Sequence, residues 1–238
     1  MPDALCWWCG ATADSREHKI AAAELRLNHG SGSWGGDSGV VHIDGNLNVR
    51  DIQGAKADIL KWESNLCQKC NNARSQPFDR AYLELLRYLD KNEEEVGASG
   101  TFRFSHVYSD AWAIGRANLI RYWLKHICCR AAIIGLAIPQ DVIHYLDDVA
   151  TAGPAPHTNL ELVVNDPVFR FQMEGRDRRG SGFGDAEGFT RDGRLVAIES
   201  FVSWGWLKLQ YRFDISDSSG YVSFPDDLVE MSRVPLEG

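Results

Sequence analysis

No run in this 238-residue chain is apolar for long enough to span a bilayer, and its N-terminus lacks the basic-then-apolar pattern of a secretory signal. Those two absences lead us to expect a cytoplasmic protein with no membrane contact. A cationic surplus is also missing. The formal net charge is −8, which excludes proteins that coat nucleic acid through counterion release at a broad basic surface. The charge is uneven: residues 1–92 hold 11 Lys and Arg against 12 Asp and Glu, so most of the negative excess lies further on. There is no internal repeat. With 44% hydrophobic and 11% aromatic residues, the chain is globular rather than disordered.

Cysteine is scarce, and its placement is informative. Of six cysteines, four fall into two pairs, Cys6-Trp7-Trp8-Cys9 and Cys67-Gln68-Lys69-Cys70. Two such knuckles supply the four thiolates of a tetrahedral structural zinc, and an intracellular setting favours metal over disulfide. The competing reading is a coincidence of buried thiols. Cys128 and Cys129 read as small apolar residues inside a helix.

Each knuckle has a neighbour that zinc does not require. Glu17-His18 follows the first pair, and Asn71 directly follows the last cysteine. A carboxylate and an amide oxygen are hard ligands suited to magnesium or manganese, and an imidazole can accept a proton near neutral pH. The alternatives are a surface dipeptide, or His18 serving as a zinc ligand in place of a cysteine.

The order Cys-x-x-Cys, acid-His, Cys-x-x-Cys-Asn resembles the HNH (His-Me finger, ββα-metal) nucleases, in particular the branch typified by phage endonuclease VII. The resemblance covers roughly residues 4 to 90. It implies a zinc held by Cys6, Cys9, Cys67 and Cys70, and a catalytic Mg2+ or Mn2+ held by Glu17 and Asn71. It further implies that His18 is the general base and that Asn65 orients the loop carrying it. The expected activity is hydrolysis of phosphodiester bonds in nucleic acid, with DNA as the expected substrate. Lys69, Arg74 and Arg80 are candidates for phosphate contacts, and Asn72 is a candidate helix cap. Two features depart from the family pattern: 46 residues separate His18 from Asn65, and Asn65 stands only two residues before Cys67. Those departures keep a second reading open, a zinc-stapled binding module that retains the fold without cleavage.

Along the chain, Ala21 to Leu27 suits one or two helical turns, and Asn28 to Gly39 reads as a Gly/Ser-rich loop. Val40–Ile43 and Leu47–Ile52 flank the turn residues Asp44-Gly45-Asn46 and predict a hairpin, either the core strands of the module or an insertion. Phe78, Tyr82, Leu85, Leu86 and Leu89 recur at helical spacing after Pro77. The acidic, Gly-rich run 92–100 predicts a boundary between a nuclease module, residues 1–95, and a C-terminal region, residues 100–238.

Beyond that run the pattern predicts helices over 109–134 and 139–149. Asn118, Arg121 and Lys125 share one helical face and are expected to be solvated. Strands are predicted over 160–164, 168–173, 195–202 and 206–213, with a turn at Asp192-Gly193 and a basic loop at 176–182. The fold class is therefore α+β: a zinc-stapled ββα-metal module, a helical segment and a β-rich C-terminal region.

Overall fold

Two short extended segments, residues 15–19 and 60–66, run antiparallel and open the fold. The amide of Ser15 donates to the Leu66 carbonyl at 2.9 Å, that of Trp62 to Glu17 at 2.8 Å, and that of Lys19 to Leu60 at 2.7 Å. Their pairing consists of isolated bridges at Ser15–Leu66 and His18–Lys61. The computed structural model describes residues 4–34, 40–148, 153–175 and 180–235.

Between those segments the chain inserts α1 (Ala22–His29) and a hairpin of β1 (Val41–Ile43) and β2 (Val49–Asp51). The hairpin was expected, and the structure makes it an insertion. Asp44 Oδ1 accepts from the amides of Asn46 and Asn48 at 2.9 and 3.0 Å, and Leu47 takes a positive φ of 62°. This is the local hydrogen bonding by which Asp stabilises a turn.

After the second segment come a π-helical stretch, Lys69–Arg74, and α2 (Gln76–Lys91), with Pro77 in its first turn. A proline is tolerated there because its missing N–H would have no intrahelical partner. Phe78, Leu85, Leu86 and Leu89 are buried as their spacing requires. Asn72 lies inside the π-helical stretch and donates from its side chain to the Gln68 carbonyl at 3.0 Å, so it does not cap α2.

The acidic, Gly-rich run 92–100 carries a helix: α3 spans Glu93–Ser99. There follow β3 (Thr101–Arg103), α4 (Phe104–Tyr108), α5 (Trp112–Ile133), α6 (Gln140–Asp147), β4 (Thr158–Asn165) and α7 (Asp166–Met173). The last elements are β5 (Ser181–Phe183), β6 (Glu187–Arg191), β7 (Arg194–Trp204), β8 (Leu207–Asp214), β9 (Tyr221–Val222), β10 (Leu228–Glu230) and β11 (Ser232–Val234). Seven strands make one sheet in the order β11-β4-β8-β7-β5, with β6 also on β7 and β9 also on β4. Along β8, Leu207, Leu209, Tyr211 and Phe213 are buried and alternate with half-exposed neighbours, the signature of a sheet with one covered face.

Two expectations are corrected. Residues 168–173 were expected to form a strand but belong to α7. The Asn165 side chain accepts from the Val168 amide, and Pro167 stands in the first turn; this N-terminal chemistry outweighs the β-branched and aromatic composition. The face of Asn118, Arg121 and Lys125 is not solvated. Arg121 and Lys125 are fully buried, and every residue of α5 from Leu119 to Ala131 is buried. A helix covered all round lies at the centre of a fold. Most of the basic loop expected at 176–182 lies outside the described residues.

One cluster of buried residues runs from Cys6 and Trp8 through α2 and α5 to the sheet, and α3 is part of that continuity. Trp206 Nε1 donates to Glu93 Oε1 at 3.0 Å, and Arg233 donates to the carbonyls of Gly97 and Ala98, the last turn of α3. Gly97 faces Phe169 of α7 so closely that a Cβ there would stand 2.2 Å from the ring. Phe169 is itself held edge-on against Trp206.

We expect Gly97→Ala to destabilise the protein by about 1–3 kcal/mol through overpacking, although alanine is the better helix former by about 1 kcal/mol. Chemical denaturation of the two proteins decides the sign. A stabilised variant would show that the α3–α7 contact is looser than this.

Candidate active site

The four knuckle cysteines converge as their spacing suggested. The Sγ atoms of Cys6, Cys9, Cys67 and Cys70 all lie within 4.8 Å of one another, and all but Cys9 are buried. The cluster is consistent with a structural zinc. Its surroundings join three elements. Trp8 stacks on Phe78 of α2 and donates from Nε1 to Asp147 of α6 at 2.9 Å. Arg74 lies over the Trp8 ring at 4.8 Å and pairs with Asp147. Asp14 Oδ1 accepts from the Gln68 amide at 2.8 Å, placing a carboxylate at the start of the helical stretch that carries Cys70 and Asn71.

Beside this cluster opens a cavity of about 520 Å³ whose lining includes Glu17, His18, Glu24, Asn71, Asp79 and Tyr82. The extended segments and the π-helical stretch thus bring together Glu17, His18 and Asn71, the three residues singled out as a catalytic set. Asn71 is oriented: its side-chain nitrogen donates to Ser15 Oγ at 2.9 Å, and its Oδ1 is buried with no partner among the described residues. His18 Nε2 is likewise buried and without a partner among them. Both residues line the cavity, and a buried polar group left unpaired costs free energy. An amide oxygen, a carboxylate and an imidazole together fit a hard divalent cation with a base beside it.

Electrostatics at the site are dominated by burial and by cations. Burial, reinforced by Lys61, Arg26, Lys125 and Lys56, pushes the His18 pKa down to about 4, so the ring is neutral at physiological pH. Glu17 pairs with Lys125 Nζ at 3.3 Å, and the same ammonium lies 3.0 Å from Asp79 Oδ1 and 3.3 Å from Ser75 Oγ. Burial alone would lower the Lys125 pKa, but Glu17 and Asp79 reverse that and raise it above the ordinary lysine range. Glu24, buried by α1, receives a 2.6 Å hydrogen bond from the Tyr82 hydroxyl, and burial raises its carboxyl to about 7.

The remaining expected residues are placed as follows. Asn65 is buried and donates to the Cys129 carbonyl of α5 at 2.7 Å, while its own carbonyl accepts from the Trp7 amide. It therefore ties the second segment to the first knuckle and to α5, and it does not line the cavity. Arg74 is committed to Trp8 and Asp147, beside the cysteines. Lys69 and Arg80 are exposed. Glu24, Asp79 and Lys61 escaped the sequence reading, and Lys125 was expected to be solvated. Asp79 carried a weak signal, one helical turn past Ser75 on α2, but Lys125 carried none, because only the fold reveals that its helix is buried.

No family model, curated protein or solved structure matches this chain. The case for a function therefore rests on the residues themselves.

His126 of α5 supports a prediction about the scaffold of the site. Its Nε2 lies 2.7 Å from the Lys19 carbonyl and must donate, and burial pushes its pKa down to about 4. The unfolded imidazole titrates near 6.5, so as pH falls the unfolded chain takes up the proton first. The stability due to neutral His126 is full above about pH 6.5 and lost between there and about pH 4. His126→Gln keeps a donor but removes the titration. Its unfolding midpoint should therefore fall less steeply than that of the wild type over that window in parallel denaturation series. Identical slopes would mean that His126 titrates as if exposed.

Proposed function

We propose that this chain is a metal-dependent endonuclease of the HNH type, hydrolysing phosphodiester bonds in nucleic acid, with DNA as the first substrate to test. One observation carries the reading. Glu17, His18 and Asn71 share one cavity beside the four-cysteine cluster, and His18 Nε2 and Asn71 Oδ1 are buried without a hydrogen-bond partner among the described residues. The order of residues resembling HNH nucleases supports the same conclusion independently.

In this reading Cys6, Cys9, Cys67 and Cys70 hold zinc in a closed site that performs no chemistry, since four thiolates leave no position for water or substrate. Glu17 and Asn71 would hold Mg2+ or Mn2+, and such a cation supplies stabilisation of the charge that builds on phosphate oxygens. His18, neutral at physiological pH, takes the proton from the attacking water. Ser15 fixes the Asn71 amide by accepting from its side-chain nitrogen. Lys61, on the cavity wall, contributes positive charge where an anionic backbone would lie. An incoming phosphodiester, being anionic, offsets the cations that add to the effect of burial and raises the His18 pKa from about 4 towards its ordinary value as the substrate binds.

The second reading is a non-catalytic zinc-stapled binding or interaction module. One observation favours it: the Glu17 carboxylate already has a cation, Lys125, and can be satisfied without a metal.

Two experiments test the proposal. Elemental analysis should find about one zinc per chain, and Cys67→Ser should lose both the metal and the folded N-terminal half, because zinc-binding energy is folding energy in such modules. Folded, soluble wild-type protein free of zinc would refute this part. Second, purified protein should nick or cut plasmid DNA or structured RNA with Mg2+ or Mn2+ and not with chelator. His18→Ala should keep zinc and nucleic-acid affinity while losing about a hundred- to ten-thousandfold in rate. Glu17→Ala and Asn71→Ala should recover part of their activity as the divalent cation is raised. Equal cleavage by wild type and His18→Ala would remove His18 from the mechanism, and no cleavage by wild type under any of these conditions would favour the binding module.

A further inference from the structure

The cavity is closed from behind by α5, which belongs to the half of the chain to which no motif points. Three positions one turn or less apart on that helix grip the N-terminal module. Lys125 reaches Glu17, Asp79 and Ser75; His126 bonds the Lys19 carbonyl at 2.7 Å; and the Cys129 carbonyl receives Asn65 at 2.7 Å. Both extended segments and the start of α2 are therefore held by one helix. Of these contacts, the one made by Lys125 touches the site directly.

Lys125 is 0% exposed, and its ammonium has three N–H donors. The structure offers it three acceptors: Glu17 Oε2 at 3.3 Å, Asp79 Oδ1 at 3.0 Å and Ser75 Oγ at 3.3 Å. Each donor has one oxygen, so the group is satisfied without water. It also has one carboxylate more than it needs for charge balance, because Glu17, Asp79 and Lys125 together carry −1. The bond to Glu17 uses Oε2 and leaves Oε1 for another ligand. A buried cation that ties down one oxygen of a liganding carboxylate is how an outer-shell group orients a ligand and lowers the entropy cost of metal binding.

We propose that Lys125 is a positioning residue for Glu17, and that the metal-binding half-site is incomplete without the α5 helix of the C-terminal half. The proposal rests on the endonuclease reading for the identity of the ligand. It assigns to α5 a part in the reaction centre itself.

Lys125→Met alone would leave two neighbouring carboxylates without a cation, so it tests folding as much as positioning. The informative protein is the full-length, zinc-loaded double variant Lys125→Met/Asp79→Asn, which keeps the local charge at −1 while removing the bond to Glu17. Mn2+ binding followed by electron paramagnetic resonance reads the half-site without cleavage, and zinc content and thermal unfolding report the fold.

We expect a folded, zinc-replete double variant whose Mn2+ affinity is reduced about ten- to a hundredfold, the usual effect of losing an outer-shell partner. Its cleavage should recover as Mn2+ is raised. Asp79→Asn alone, which retains the lysine, should stay much closer to wild type. A folded double variant with wild-type Mn2+ affinity and wild-type metal dependence of cleavage would overturn the positioning role. Wild-type protein that binds no Mn2+ would overturn the endonuclease reading on which the proposal rests, and that failure is visible before any variant is made.

Discussion

An ammonium group taken out of water must find acceptors for all three of its protons and a countercharge close by, or the fold that buries it is lost. Lys125 meets both conditions with residues from two other elements: Glu17 on the first extended segment, and Ser75 and Asp79 at the start of α2. No two of these elements can move apart without stranding a buried charge. The requirement is directional, unlike the apolar packing around it, and it therefore sets how the candidate site sits on the helix behind it. Hydrophobic burial holds α5 in the centre; the ion cluster decides its rotation and register against the N-terminal module.

The cysteine cluster imposes a second constraint of a different kind. It joins the two ends of the module, residues 6–9 and 67–70, across an insertion that holds α1 and the β1–β2 hairpin. Closing a loop of that length costs entropy that grows only slowly with its size, so a long insertion is compatible with a rigid pair of segments on either side. The cluster fixes the front of the module, and α5 fixes the back. Asn65 belongs to both, with its carbonyl on Trp7 and its side chain on Cys129. That explains why an asparagine so close to Cys67 is buried in the scaffold rather than in the cavity.

What could be read from the residues follows from the range of each signal. Knuckle spacing, proline at a helix start and the Phe78-to-Leu89 stripe are local patterns with local causes, and the structure bears them out. The convergence of Glu17, His18 and Asn71 was legible only through a resemblance, since nothing in their spacing places residues 17 and 71 on one cavity. Arg121 and Lys125 illustrate the opposite limit. A charged face on a helix is ordinarily solvated, and only the tertiary partners, two backbone carbonyls for Arg121 and two carboxylates for Lys125, make its burial possible. The strand expected at 168–173 failed for a nearer reason. Asn165 and Pro167 lie just outside or at the edge of the apolar window, and it was they that decided the conformation.

The His18 pKa is held down first by burial and then by four cations, Lys61, Arg26, Lys125 and Lys56. The cavity wall itself carries four acidic residues, Asp14, Glu17, Glu24 and Asp79, against Arg16 and Lys61, so on the endonuclease reading a divalent cation must offset its carboxylates before an anionic backbone can approach. Burial keeps the imidazole unprotonated while the cavity is empty, because a charged ring there would lose its hydration, and the neighbouring cations add to that cost. Substrate then supplies the negative charge that makes the same imidazole a better proton acceptor. Base strength is thereby coupled to occupancy: the site favours proton abstraction only when there is a phosphodiester for the resulting hydroxide to attack.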